Sequence, residues 1–209
     1  MSYANLQNDQ DVLEFNMKRI VLATQNKNKL VEMQAIFKHF DIQIINPPSD
    51  FDPVEDGETF FDNSLIKAKA ASKLMGLPAL ADDSGLQIEA LGGEPGVYSA
   101  RWAETNADRI QKAIDKLEEQ TNRNAQFVCT MTLTDADGNL LHSAEGVCKG
   151  VILEEQKGTN GFGYDPIFFI PELGKTMAEL NLDEKNQISH RSIALRQMIE
   201  FLNSQRENL

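Results

Sequence analysis

Two adjacent carboxylates, Asp82 and Asp83, follow a short apolar run at 78–81 and precede Ser84 and Gly85. Carboxylates beside a core are unfavourable without a compensating cation, and Mg²⁺ suits them because it takes one or two carboxylates together with water and phosphate oxygens. Such an ion also prepares a bound water for attack on phosphorus. A solvated Asp-rich turn accounts for the same string. Glu55 and Asp56 stand in an acidic loop that could add a further carboxylate. Thr24, Gln25, Asn26, Lys27, Asn28 and Lys29 join an apolar run to a helical pattern, so free N–H groups and the positive helix end would converge where a phosphate could rest. A polar N-cap followed by surface lysines gives the same residues. Asn63 and Lys67, four apart, could reach one ligand from a single helix.

Residues 158–166 interleave three glycines with Phe162 and Tyr164. That composition suits close backbone approach and base stacking, or a loop whose aromatics plug the core. Lys185 precedes Ser189, His190 and Arg191 at the start of the last helical pattern, where cations and an imidazole could meet a ligand edge or lie on the surface. His39 and His142 have no partner in pattern, and the three histidines and two cysteines lack zinc spacing.

The elements that must hold these residues follow from periodicity. The run 19–23 predicts a buried strand, and Leu30, Met33, Phe37 and Phe40 predict a helix over 28–39. A second strand is expected at 42–45. Thr59 is a candidate cap for a helix presenting Phe61, Leu65, Ala68, Ser72 and Met75 on its apolar face and Asn63 and Lys67 on another, with Gly76 ending it. Residues 78–81 predict a short strand entering a turn at 82–85. Ile110, Ile114 and Leu117 mark a further helix, and Phe127, Cys129, Met131 and Leu133 alternate as in a strand. Asp137, Gly138 and Asn139 form a hairpin signal with a returning strand over 140–149, and Leu195, Met198, Ile199 and Leu202 mark the last helix. A parallel-type start and a long hairpin together predict an α/β fold with a mixed sheet.

Twenty basic residues against 32 acidic ones give 209 residues a net charge of −12, which excludes a broad basic footprint for nucleic acid. A phosphate ligand must then bind in a local pocket. The polar, acidic residues 1–15 lack the parts of a secretory signal and no stretch is long and apolar enough for a bilayer, so a cytoplasmic protein with no membrane partner is expected. Cys129 and Cys148 are then expected to be buried free thiols.

Six motifs occur in the order found in one family: Thr24-x-Asn26-x-x-Lys29, Phe60-x-x-Asn63-x-x-x-Lys67, residues 81–86 with the Asp-Asp-Ser-Gly string, Leu91-Gly92-Gly93-x-Pro95-Gly96, residues 161–166, and Ile188-Ser189-His190-Arg191. The chain resembles the inosine triphosphate pyrophosphatases over about residues 18–202. The resemblance implies hydrolysis of dITP, ITP and XTP to the monophosphate and pyrophosphate with Mg²⁺, on an elongated mixed sheet in two lobes with the site in the groove between them, in a homodimer. It further implies Asp83 as metal ligand and proton acceptor, and Glu55 as second metal carboxylate with Asp56 one residue away. Thr24, Gln25, Asn26, Lys27, Asn28, Lys29 and Lys67 would hold the triphosphate, and Ser84 would touch the substrate. Phe162, Gly163, Tyr164 and Asp165 would pack on the base, and Lys185, His190 and Arg191 would read its oxygen-bearing edge. Residues 1–16 precede the family's usual start and are expected to be an extension to a single domain over 17–209. Asn160 stands where the family has Gly, and a positive φ there is expected to be tolerated.

Overall fold

The computed structural model describes residues 19–38, 40 and 42–207; the expected extension over 1–16 and His39 lie outside them. One seven-stranded sheet runs in the order β2-β1-β3-β4-β5-β6-β7. The strands are β1 (Arg19–Leu22), β2 (Gln43–Ile45), β3 (Ala79–Ile88), β4 (Asn124–Thr134), β5 (Leu140–Ile152), β6 (Phe168–Ile170) and β7 (Lys175–Thr176). β1 pairs in parallel with β2 and β3, and every later pairing is antiparallel. The helices are α1 (Lys27–Phe37), α2 (Phe60–Met75), α3 (Asn106–Lys116), α4 (Leu182–Ile188) and α5 (His190–Glu207). None of the described helices is long and apolar enough to cross a membrane.

The local signals behind these elements are capping and turn chemistry. Thr59 and Asp62 close a capping box at the start of α2, and Gly76 ends it in the left-handed region at φ 62°. Thr105 and Asp108 do the same at the start of α3. At the β4–β5 turn, Asp135 Oδ1 accepts from the Asp137 and Asn139 N–H groups at 2.9 and 2.8 Å. Cys129 and Cys148 are free and buried, and they do not face each other: Cys129 pairs with Gly146, and Cys148 with Phe127.

One expectation is corrected at the centre of the sheet. Residues 82–85 are not a turn, because β3 runs unbroken from Ala79 to Ile88 and pairs with β4 at all ten positions. Its pleat sends alternate residues to opposite faces. Leu80 joins a core with β1, α1 and α5, whereas Leu86 and Ile88 join a second core with α3, β4 and β6. Asp82 and Ser84 lie on that same face at the gap between the cores. On the other face Ala79 and Ala81 pack with Ala68 and Ala71 of α2. The polar middle of β3 therefore sits between two hydrophobic bodies, which is the physical basis of the two lobes.

α5 lies close on β5 because Gly146 has no side chain. A Cβ there would run into the His190 carbonyl oxygen and sit 2.6 Å from the Ala194 nitrogen. Gly146→Ala should therefore destabilise the protein by about 1–3 kcal/mol, the usual range for overpacking against backbone. Thermal unfolding checks this, and an unchanged midpoint would mean that α5 can back away freely.

Candidate active site

A cavity of about 550 Å³ opens over the middle of β3. Its first wall is the β1–α1 turn, where Thr24, Gln25, Asn26, Asn28 and Lys29 line the space. Lys27 is exposed and is not among the lining residues, so the turn does not bring it in. Nor are the first N–H groups of α1 all free. Asn26 Oδ1 accepts from Asn28 N at 3.0 Å and Lys29 N at 3.3 Å, and the Asn26 N–H donates to Thr24 Oγ1 at 3.1 Å. Asn26 is thus the cap of α1, which leaves the Thr24 hydroxyl and the Lys29 ammonium as the groups of this turn best placed for an anion.

The second wall belongs to α2 and Asp83. Asn63 and Lys67 lie on the buried face of α2 with Phe60, Ser64, Ala68, Ala71 and Ser72, not on a separate one. Asn63 Nδ2 donates to Asp83 Oδ2 at 3.2 Å, while its Oδ1 accepts from the Gly57 N–H at 2.9 Å and so ties the acidic loop to the helix. Lys67 Nζ stands 2.8 Å from Glu55 Oε2 and 3.5 Å from Asp83 Oδ1. Asp56 is exposed, so of the two loop carboxylates Glu55 is the one that lines the cavity. Burial raises the pKa of Asp83 above the usual carboxylate range, against the pull of Lys67 and Lys29. Burial also works against the charged form of Lys67, but Asp83, Asp82 and Glu55 outweigh it and raise its pKa.

Asp82 faces the other way and is fully buried. Its Oδ2 lies 3.0 Å from Lys29 Nζ and accepts from Arg191 Nε and Nη2, each at 3.2 Å. Those cations, with Lys67, overcome burial and hold its carboxyl well below the usual range. Arg191 Nη1 donates to Glu32 Oε2 and Nη2 to Ser84 Oγ at 2.8 Å, so the guanidinium is committed to protein partners at all three nitrogens. Arg191 also lines the cavity, its guanidinium carbon 5.8 Å from the Phe162 ring centroid, so a direct contact with a base is compatible with these partners.

The remaining walls form the opposite end. Phe162 has Lys185 Nζ 4.9 Å from its ring centroid. Asp165 Oδ2 accepts from the Phe162 N–H at 2.8 Å and from Lys185 Nζ at 2.6 Å, and Lys185 also lies 2.8 Å from Glu32 Oε1. Tyr164 is buried and its hydroxyl donates to the Ser99 carbonyl at 3.0 Å. Gly163, Tyr164 and Asp165 line the cavity with Phe162. His190 stacks on Phe127 with centroids 4.8 Å apart, and its buried Nδ1 has no hydrogen-bond partner among the described residues. Burial, helped by Arg191 and Lys185, pushes its pKa well below 6.5, so it is a neutral imidazole. Asn160 needs no positive φ: among the described residues only glycines have one, and its side chain instead donates to the Leu180 carbonyl at 3.0 Å.

Several residues of this site escaped the sequence reading. Glu32 carries buried ion pairs with Lys185 and Arg191, and Phe127, Ser99, Arg101, Asn106 and Arg109 complete the walls. Glu32 carried no local signal, because successive helical residues point about 100° apart and it lies off the stripe of Leu30, Met33 and Phe37. At Gly85 a Cβ would meet the Gly96 carbonyl and lie 2.5 Å from Ser99 Oγ, so this glycine lets the Ser99 segment close on β3. A second groove, of about 640 Å³, lies by residues 121–124 and 151–157, but its Arg123 is spent on the carbonyls of Leu117, Ile152 and Leu153.

The fold and site define a mixed-sheet α/β protein with a polar groove between two cores, cationic and acidic at one end and aromatic at the other. The chain belongs to the Ham1 family, whose model matches residues 20–201. It is 47% identical over 190 residues to the dITP/XTP pyrophosphatase of Staphylococcus epidermidis, covering 89% of this chain and 97% of that protein. It is 44% identical over 177 residues to the dITP/XTP pyrophosphatase of a Nostoc species, covering 85% and 90%. Among solved structures, the Coxiella burnetii HAM1 protein superposes with a TM-score of 0.82 at 46% identity, covering 90% of this chain and all of that one. The Staphylococcus aureus Ham1 protein gives 0.80 at 41%, covering 90% and 99%.

Proposed function

We propose that this protein hydrolyses non-standard purine nucleoside triphosphates, the dITP/ITP and XTP/dXTP class, to the monophosphate and pyrophosphate, and so clears them from the nucleotide pool. The observation that carries the reading is the grouping of Asp83, Asn63, Lys67 and Glu55 at one end of a cavity whose other end is Phe162 with Lys185. Relatives named as dITP/XTP pyrophosphatases support the substrate class. The homodimer and the cytoplasmic location implied by the family resemblance belong to the same reading.

Asp83 and Glu55 converge on one point, now held by Lys67 Nζ, and two carboxylates completed by water and phosphate oxygens are a donor set that fits Mg²⁺. Among the described residues no group of three or more His, Cys, Asp or Glu could hold an ion, so water and phosphate oxygens would have to complete the two carboxylates. When bound, the ion neutralises phosphate charge and makes a water more acidic. Asp83 takes the proton of the attacking water, with its carboxylate at the phosphate end of the cavity beside Lys67. Asn63 fixes the orientation of that carboxylate. Lys67 and Lys29 offset charge developing on the leaving pyrophosphate. At the far end, Lys185 and His190 meet the base above Phe162, with Arg191 and Glu32 fixing Lys185 from behind. Hypoxanthine and xanthine present an acceptor oxygen at C6 to the lysine, whereas adenine presents an amino group that can accept nothing from it.

The test is ITP with Mg²⁺ in ¹⁸O-labelled water. Attack at the α-phosphorus places the label in the monophosphate and releases unlabelled pyrophosphate in one step, and chelating the metal stops it. Inosine diphosphate and labelled phosphate as primary products would overturn the reading.

A further inference from the structure

Six charged side chains link the two ends of the cavity in one continuous chain. Lys29 pairs with Asp82, Asp82 with Arg191, Arg191 with Glu32, Glu32 with Lys185, and Lys185 with Asp165, which accepts from the Phe162 backbone. Three cations alternate with three anions, and all but Lys29 are classed as buried. Within this chain Asp82 alone touches both a group of the phosphate end and a group of the base end. It does so through a single oxygen, since Oδ2 serves Lys29 and both Arg191 nitrogens while Oδ1 has no partner among the described residues.

We propose that Asp82 is a positioning residue that couples base recognition to the phosphate end, so that the identity of the base is expressed in kcat; this rests on the pyrophosphatase reading above. The guanidinium of Arg191 is planar and always charged, so a shift of Lys185 or Glu32 is passed on as a displacement of the whole fork. At Asp82 Oδ2 the same oxygen must satisfy the fork and Lys29 together. A base that seats Lys185 fixes Arg191, which fixes the oxygen that orients Lys29. A base that accepts nothing from Lys185 leaves the chain of pairs as it stands, with Lys29 held against Asp82 and not oriented on the phosphates. Energy gained at a remote part of the substrate is then spent on orienting the reacting end, and such energy appears in kcat. Asp82 performs none of the chemistry, since the pleat of β3 turns it away from Asp83.

Asp82→Asn, read with ITP and ATP at saturating Mg²⁺, tests this. Residues in one ion-pair network couple strongly enough that the ratio of kcat for ITP to kcat for ATP should fall by about tenfold, with KM for ITP changed by less than about threefold. Asp82→Glu, which restores the charge, should recover part of the ratio. Equal loss of both activities, with the ratio kept, makes Asp82 merely structural and overturns the proposal. An unmodified protein that releases pyrophosphate from neither nucleotide overturns the function, and the coupling with it. Should Asp82→Asn fail to fold, the unmodified enzyme decides. It is given inorganic triphosphate, which water splits to pyrophosphate and phosphate, with and without free inosine. Inosine filling the base pocket should raise the turnover of triphosphate severalfold while adenosine does not, and no stimulation by inosine overturns the coupling.

Discussion

Asp83→Asn should lower kcat by roughly 10²-fold or more while the protein stays folded, because a general base contributes about that much and an amide cannot accept the water's proton. The fold has little reason to suffer. Asn is nearly isosteric, burial already disfavours the charged form of Asp83, and Lys67 keeps Glu55 at 2.8 Å. The pH profile adds a second readout with a definite sign. A carboxylate base loses its active form on protonation, so the activity of the unmodified protein should decline on the acid side, and whatever residual activity the Asn variant keeps should not follow that decline. Steady-state kinetics with ITP, beside circular dichroism, decides the matter. Turnover near that of the unmodified protein from a folded variant would remove Asp83 from the chemistry.

Arg191→Ala should be the most damaging single truncation for stability. Removing one partner of a buried pair strands the opposite charge, at a cost of about 3–5 kcal/mol. Here the guanidinium leaves Asp82 and Glu32, both buried, each with only a lysine to answer it. For a chain of this size that loss corresponds to a fall of roughly 6–20 °C in the unfolding midpoint. Were Arg191 a free donor at the base edge, truncation would leave the midpoint alone and change only the preference for ITP over ATP. Calorimetry on the variant, with the ITP to ATP ratio measured below its unfolding temperature, separates the two roles.

The parts of this molecule that could be read from residues alone are those fixed by local chemistry. β1 and α1 follow from an apolar run, a cap at Asn26 and an apolar stripe, and the β4–β5 hairpin follows from Asp137, Gly138 and Asn139. Thr24, Lys29, Lys67, Asp83 and Phe162 stand in the ordered motifs and line one cavity, and Lys185, which the resemblance implied, lines it too. What stayed hidden depends on partners distant in the chain. Asp82, Asp83, Ser84 and Gly85 have the composition of a turn, and only ten pairings with β4 hold them extended, a case of tertiary pairing overriding local preference. Asn63 and Lys67 fall outside the predicted apolar face because periodicity counts apolar residues, whereas their burial is stabilised by Asp83, sixteen or more residues further on. Glu32 and Arg191 are separated by 159 residues, so nothing local shows that each neutralises the other.

The pleat of β3 has a consequence for how this chain can vary in length. Asp82 and Asp83 differ by a single backbone step, yet they belong to two systems on opposite sides of the sheet, one holding Arg191 and Lys29, the other Lys67 and Asn63. Parity along the strand therefore carries as much meaning as composition. Losing one residue between Ala79 and Asp82 would exchange the sides of every residue beyond it, giving the arginine the proton acceptor and the helix lysine its tether, with the amino-acid content almost unchanged. Loss or gain of two residues would preserve the sides but slide the carboxylates along α2 and past the cores. Length variation in this family of folds must then fall in the loops, such as the turn at 135–139, where no residue's partner depends on whether its position is odd or even.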